Sequence, residues 1–195
     1  MIVVDGGSDD GTAGLAAGLC DRVMVAPRGR AAQMNAGAAA ARGDVLLFLH
    51  ADTRLPDDFG DAVADALVEA DDVGGFFAVD LDAPGWRYRL TARLISARSR
   101  LTGIATGDQA IFVRRAVFEE LGGFAPLPLM EDIDLMHRLK RRGRVTALPQ
   151  AVTTSARRWQ RRGFWRTVLL MWSLRLAYYT GVAPSTLARL YRDAR

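Results

Sequence analysis

Directly after the apolar run Val45-Leu46-Leu47-Phe48-Leu49, the chain reads His50-Ala51-Asp52-Thr53. An i, i+2 pair at the end of a strand puts both side chains on the same side. There a carboxylate can ligate a hard divalent ion that also bridges two phosphates, or simply cap the following turn. Asp5 follows Ile2-Val3-Val4 directly and precedes Gly6-Gly7-Ser8. Glycines at that point let a ligand approach the backbone, although Asp-Gly-Gly is also ordinary turn chemistry. Gly29-Arg30, at a helix start, offers free N–H groups and a guanidinium to phosphate; the plainer reading is an exposed arginine. Glu131-Asp132-Ile133-Asp134 opens a segment that Lys140-Arg141-Arg142 closes. Paired acids serve proton transfer, yet the helix dipole alone accounts for acids at the first turn and bases at the last.

Alternating apolar runs and turn residues predict the elements that hold these groups. Strands are expected at 2–4, 23–25, 45–49, 74–81 and 145–148, and 107–113 reads as a loop feeding a strand. Helices are expected at 12–19, 31–41, 56–70, 86–101, 116–121 and 131–142. Strand 45–49 is apolar at every position, the pattern of a parallel strand covered on both faces. The expected fold class is therefore a single α/β sandwich with a mainly parallel central sheet, its ligands at the carboxyl ends of the strands. The loops 5–11, 27–30, 50–54 and 106–109 meet there, three with acids and one with two arginines, a mixture that suits a metal and a polyphosphate.

The chain of 195 residues has a net charge of +4 that hides an asymmetry. Residues 1–100 carry 10 basic and 15 acidic residues, whereas 101–195 carry 16 and 7. From Arg138 onward 14 bases face Asp193 alone, so the C-terminal third calls for an anionic partner. Phosphate groups and anionic lipid qualify; no nucleic-acid module is recognisable, so nucleic acid is not expected. Cys20 is the one cysteine, which excludes a disulfide framework and a Cys-rich zinc site. The absence of a secretory signal pattern makes a cytoplasmic location the expectation. In the segment 164–179, Trp165, Val168, Leu169, Trp172, Leu176 and Tyr179 recur at helical spacing, and Arg175 leaves the stretch too short to span a bilayer. It is either a helix packed on the domain, the favoured reading, or a basic interfacial helix on the inner face of an anionic membrane.

The strings Val3-Val4-Asp5-Gly6-Gly7-Ser8-Asp9-Asp10-Gly11-Thr12, Gly29-Arg30-Ala31-Ala32-Gln33-Met34-Asn35-Ala36-Gly37 and Leu47-Phe48-Leu49-His50-Ala51-Asp52-Thr53 resemble family 2 glycosyltransferases of the GT-A fold. Gly107-Asp108-Gln109-Ala110, Leu129-Met130-Glu131-Asp132-Ile133-Asp134-Leu135 and Thr154-Ser155-Ala156-Arg157-Arg158-Trp159 continue the likeness. The wording is most similar to the arsenosugar-biosynthesis-type subgroup.

The resemblance implies inverting hexosyl transfer from a UDP- or GDP-sugar to an acceptor hydroxyl. Asp5, with Gly7 and Ser8, would hold the base or ribose, and Arg30 would lie near the base and diphosphate. Asp52, the second acid of an Asp-x-Asp motif, would ligate Mg2+ or Mn2+, with His50 in the place of the first acid. Asp108 joins the donor set, Asp132 is the implied general base with Glu131 beside it, and Arg157, Arg158 and Trp159 would close over the diphosphate. The implied division is a GT-A domain at 1–160 and a basic helical segment at 161–195. The family begins with a further strand and a Pro-x-x-Asn-Glu-like loop ahead of the strand that here starts at Ile2. The expectation is thus an N-terminally truncated domain with an exposed strand edge, whose alternative role is that of a catalytically inactive scaffold or membrane-surface binding protein.

Overall fold

The computed structural model describes residues 1–193. Its elements run β1 (Ile2–Asp5), α1 (Thr12–Ala17), β2 (Arg22–Val25), α2 (Arg30–Ala40), β3 (Val45–Phe48), β4 (Thr53–Arg54), α3 (Phe59–Asp65), β5 (Asp72–Leu81) and α4 (Trp86–Thr102). A 3-10 turn at Gly107–Gln109 leads into β6 (Ile111–Arg114), α5 (Arg115–Glu120), α6 (Glu131–Arg142), β7 (Arg144–Thr154), α7 (Arg157–Arg162), α8 (Phe164–Tyr179) and α9 (Pro184–Asp193).

Five strands form one sheet in the order β3-β6-β5-β7-β4, and β1 pairs with β2 in a separate parallel ribbon. The expectation of a mainly parallel sheet is corrected here. Only β5 and β7 run parallel in the larger sheet; β3–β6, β5–β6 and β4–β7 are antiparallel. The long excursion through α4 returns the chain beside β5 in the opposite sense, and β6 then separates β5 from β3. β5 sits at the centre, and two of its residues must be glycine. A Cβ on Gly74 would stand 2.4 Å from the Phe112 carbonyl oxygen, and one on Gly75 would stand 2.3 Å from that of Thr146.

The main core gathers Phe76, Ile111, Val113, Phe124, Ile133, Leu135, Met136 and Leu139, all but inaccessible to water. Burying each such side chain is worth about 1.5–3 kcal/mol. α6 presents this face because its apolar residues recur at three and four, while its acids occupy the first turn and its bases the last. α2 joins the two sheets. Its Gly37 backs onto Val4 of β1, and its Ala31 and Ala38 enter the main core with Leu46 of β3. α8 and α9 contribute Leu174, Leu187 and Ala188 to the same core.

β7 runs on to Thr154 rather than ending near Leu148, bending where its register against β5 shifts at Phe77/Ala78. α3 stops at Asp65 rather than near Ala70, and the Asp72 carboxylate takes the Glu69 amide in the turn that follows. α8 does pack on the domain, but with Phe164, Thr167 and Leu174. Trp165, Leu169, Trp172, Leu176 and Tyr179, which the spacing marks as its apolar face, point to solvent.

Candidate active site

The site lies where β1, β3 and the turn before β6 end against the start of α6. Asp5 closes β1 and is buried, with its carboxylate turned into its own loop. It accepts the amides of Gly7 at 2.8 Å and Ser8 at 2.7 Å, and the Ser8 hydroxyl at 2.6 Å. The Ser8 hydroxyl is the main reason its pKa lies below the ordinary carboxylate value. Gly7 takes φ 78°, which lets the loop turn back, and Arg28 pins it from outside by donating to the carbonyls of Gly6 and Gly7. Gln33 of α2 donates to the Val4 carbonyl at 2.9 Å. Gln33 falls within one of the sequence strings and Arg28 just ahead of it, but nothing in residue type marks them as the fasteners of this loop.

Arg30 begins α2 and reaches α6, its Nε 2.9 Å from Glu131 Oε1. Glu131 is almost fully buried, and its Oε2 has no hydrogen-bond partner. Burial and the adjacent Asp132 raise its pKa, while Arg30 opposes the shift. The turn into α6 is made by Met130 in the left-handed region, φ 68°, which aims Glu131 and Asp132 inward together. Asp132 is buried and held at both oxygens: Oδ2 accepts the Gly107 amide at 2.7 Å and Oδ1 its neighbour Ile133's at 2.8 Å.

His50 occupies the middle. Its Nε2 would stand 2.6 Å from a Cβ on Gly107, so only glycine fits at the start of the 3-10 turn. Burial is the chief cause of its lowered pKa, helped by Arg30, while Asp108, Asp132 and Asp52 pull the other way. Asp132 Oδ2 borders the same Gly107 position, at 3.6 Å from where its Cβ would stand. The turn itself is braced by Thr106, whose hydroxyl donates to Asp108. Gln109, fully buried, accepts from Ser99 of α4 at 2.7 Å and donates to the Phe77 carbonyl at 3.1 Å. Gly107, Gln109 and Ser99 are positioning residues that residue type alone left unmarked. So is Arg98, which burial and nearby Arg175 push down to about 10, with Asp108 and Asp132 opposing.

Asp52 is exposed, and its carboxylate accepts no hydrogen bond among the described residues. No group of three or more His, Cys, Asp or Glu able to hold a metal occurs among them either. The donor set is one free hard oxygen ligand with a neighbouring imidazole. It fits Mg2+ or Mn2+ completed by phosphate oxygens and water, rather than a preformed cage. The backbone carbonyl of Asp52 accepts the Ser155 amide at 3.1 Å, which brings the start of α7 to the same loop. Along α7, Arg157 is exposed, the Arg158 guanidinium lies 5.3 Å from the Tyr191 ring centre, and Trp159 packs against Phe164 at 5.7 Å. The structure thus brings Arg30, His50, Asp52, Asp108, Glu131 and Asp132 together. Asp5, Gly7 and Ser8 form a neighbouring loop, and Trp159 sits in an aromatic cluster. Two prominent cavities lie elsewhere: about 330 Å³ between α2, β3 and α5, and about 490 Å³ between α6 and the α8–α9 turn.

Comparison with solved structures finds the same fold in several glycosyltransferases. A mannosyltransferase from Pyrobaculum calidifontis, crystallised with GDP-Man and Mn2+, matches over 99% of this chain and 59% of its own, at 20% identity and a TM-score of 0.63. GalNAc-T7 with UDP, GalNAc and Mn2+ matches over 79% of this chain and 37% of its own, at 15% identity and TM-score 0.60. S. aureus TarS 1-349 with UDP-GlcNAc matches over 79% and 48%, at 17% identity and TM-score 0.57. At these identities the likeness is one of fold, the GT-A fold, and the chain spans three-fifths or less of each of these relatives. No curated protein matches the chain. The model of the family described as "Glycosyl transferase family 2" matches residues 1–122, well over half of the sequence, and the chain belongs to that family.

Proposed function

We propose that this chain is an inverting, metal-assisted glycosyltransferase that moves a hexosyl group from a UDP- or GDP-sugar to an acceptor hydroxyl. One observation carries the reading: His50 and Asp132 both border Gly107, whose amide orients the Asp132 carboxylate, and the adjacent Glu131 holds Arg30 of α2. The nucleotide sugars and Mn2+ bound by the fold relatives support the donor class. Sequence wording places the chain nearest the arsenosugar-biosynthesis-type subgroup.

Asp132 is the general base. Two backbone amides fix its carboxylate, and each oxygen keeps a lone pair for the acceptor. The acceptor O–H bond breaks toward Asp132 as the oxygen bonds to the anomeric carbon. The bond from that carbon to the donor phosphate breaks on the opposite face, and its electron pair leaves with the nucleoside diphosphate. Glu131 tethers Arg30 at the edge of the donor site. Asp52 and His50 would hold Mg2+ or Mn2+, which when bound neutralises charge on the leaving diphosphate. Asp5, Gly7 and Ser8 form the wall for base or ribose, Asp108 borders the diphosphate, and Arg157, Arg158 and Trp159 flank its exit.

The separation of the β1–β2 ribbon from the larger sheet favours a second reading, a catalytically silent scaffold of the same fold. Release of UDP or GDP from UDP-GlcNAc, UDP-GalNAc and GDP-Man with Mn2+ decides between them. The enzyme reading expects release from at least one donor and a loss of about 10²–10⁴-fold in Asp132→Asn. No release from any of the three favours the scaffold.

A further inference from the structure

We propose that α4 and α8 together form a docking surface for an anionic phospholipid bilayer. α8 is apolar around nearly its whole circumference. One face is buried in the domain through Phe164, Thr167 and Leu174. The opposite face carries Trp165, Leu169, Trp172, Leu176 and Tyr179, spaced four, three, four and three, each more than half exposed. A helix apolar on all sides is covered on all sides in its working state. At 16 residues the stripe is ~24 Å long.

α4 carries a second exposed apolar row. It packs against α8 where Tyr88 meets Phe164 edge to face at 5.5 Å. Its inner face buries Tyr88, Ala92 and Ser99, while Trp86, Leu90, Leu94 and Leu101 stand exposed on the side opposite.

Charge selects the occupant. α4 carries five arginines, α7 four and α8 two, and none of the three helices has a carboxylate. Arg89, Arg93, Arg100, Arg161 and Arg166 are exposed and enter no ion pair among the described residues. A second copy of this face would set arginine against arginine without one acid to relieve it. Nucleic acid would meet leucines and tryptophans where its phosphates need bases. Exposed tryptophans and leucines bordered by arginines match the boundary between acyl chains and anionic headgroups. No helix among the described residues is long and apolar enough to cross a membrane, so contact by this face is peripheral. The surface also borders the active site, because α7 starts where Ser155 bonds to Asp52.

Co-sedimentation of the full chain with vesicles of phosphatidylcholine alone, or with about 30% phosphatidylglycerol, tests this. The expected result is binding to the anionic vesicles at least about fivefold above the neutral ones, mostly released near 0.5 M salt. Trp165→Ser/Trp172→Ser/Leu176→Ser should reduce binding about tenfold, and Arg161→Gln/Arg166→Gln about threefold, with circular dichroism unchanged because every replaced side chain is exposed. No sedimentation with anionic vesicles overturns the proposal, as does binding that both variants leave intact. Self-association abolished by the triple variant, without vesicle binding, would assign the face to a second copy instead. None of these readouts needs nucleotide, so they stand apart from the donor chemistry.

Discussion

The Gly107 amide donates to Oδ2 of Asp132 at 2.7 Å across 25 residues of sequence, and the same glycine leaves no room for a Cβ beside His50. One backbone position thus orients the proposed base and borders the imidazole. Gly107 does not have a positive φ, so an alanine would keep the backbone, and its Cβ fits only if the His50 side chain moves away.

Gly107→Ala is therefore expected to fold normally and to lose roughly 10²-fold in turnover, the usual cost of misplacing a reacting group by about 1 Å. Donor turnover beside circular dichroism checks it. Wild-type turnover in this variant would remove His50 and the turn from the mechanism.

Arg30 and Glu131 form a pair with one partner in water and the other in the core, side-chain exposures 44% and 2%. Arg30→Ala leaves a buried carboxylate alone and should cost about 1–2 kcal/mol, discounted for the exposed partner. That corresponds to roughly 2–8 °C in Tm. Arg30→Ala/Glu131→Gln should recover about half of this loss. Glu131's pKa is already raised, so without Arg30 it takes up a proton more readily. A raised carboxyl stabilises the fold below its unfolded value and loses that contribution as pH rises through its folded value. The gap between wild type and Arg30→Ala should accordingly narrow as pH falls from 7 toward 5. A constant gap in pH-resolved thermal melts would contradict the assignment.

Asp72, where β5 starts, accepts hydrogen bonds from Arg144 of β7 and from the Glu69 amide. The Arg144 bond is the main cause of its lowered pKa. A depressed carboxyl contributes stability above its unfolded value and loses it as pH falls through its folded value. Asp72→Asn should melt below wild type at pH 7, and the difference should vanish once pH falls well below 3.8. Thermal melts across that range check it.

Much of this architecture is legible in the residues, and the exceptions have physical causes. The acids of α6 stand where the dipole wants them, so charge alone gave no reason to assign chemistry. The resemblance singled out Asp132 and Glu131; what the sequence does not convey is that Met130 turns left-handed and that Asp132 meets the Gly107 amide while Glu131 meets Arg30. Val45-Leu46-Leu47-Phe48 announces a strand covered on both faces, which it is, but coverage does not fix the direction of its neighbour, and β6 runs antiparallel. In α8 the periodicity of Trp165, Leu169, Trp172, Leu176 and Tyr179 is real. A second, less regular set buries instead, because a helix apolar all round offers two faces and the sequence does not say which meets the domain.

As proposed, Asp52 holds a divalent ion against the diphosphate of a sugar nucleotide. Thermal melting with GDP-Man, UDP-GlcNAc or UDP-GalNAc, with and without Mn2+, measures it directly. At least one donor should raise Tm by several degrees only when Mn2+ is present, about 2.7 kcal/mol at a hundredfold excess over Kd. Asp52→Ala should abolish the shift and leave the unliganded Tm unchanged. A donor shift of equal size in Asp52→Ala, or none with any donor and metal, would contradict it.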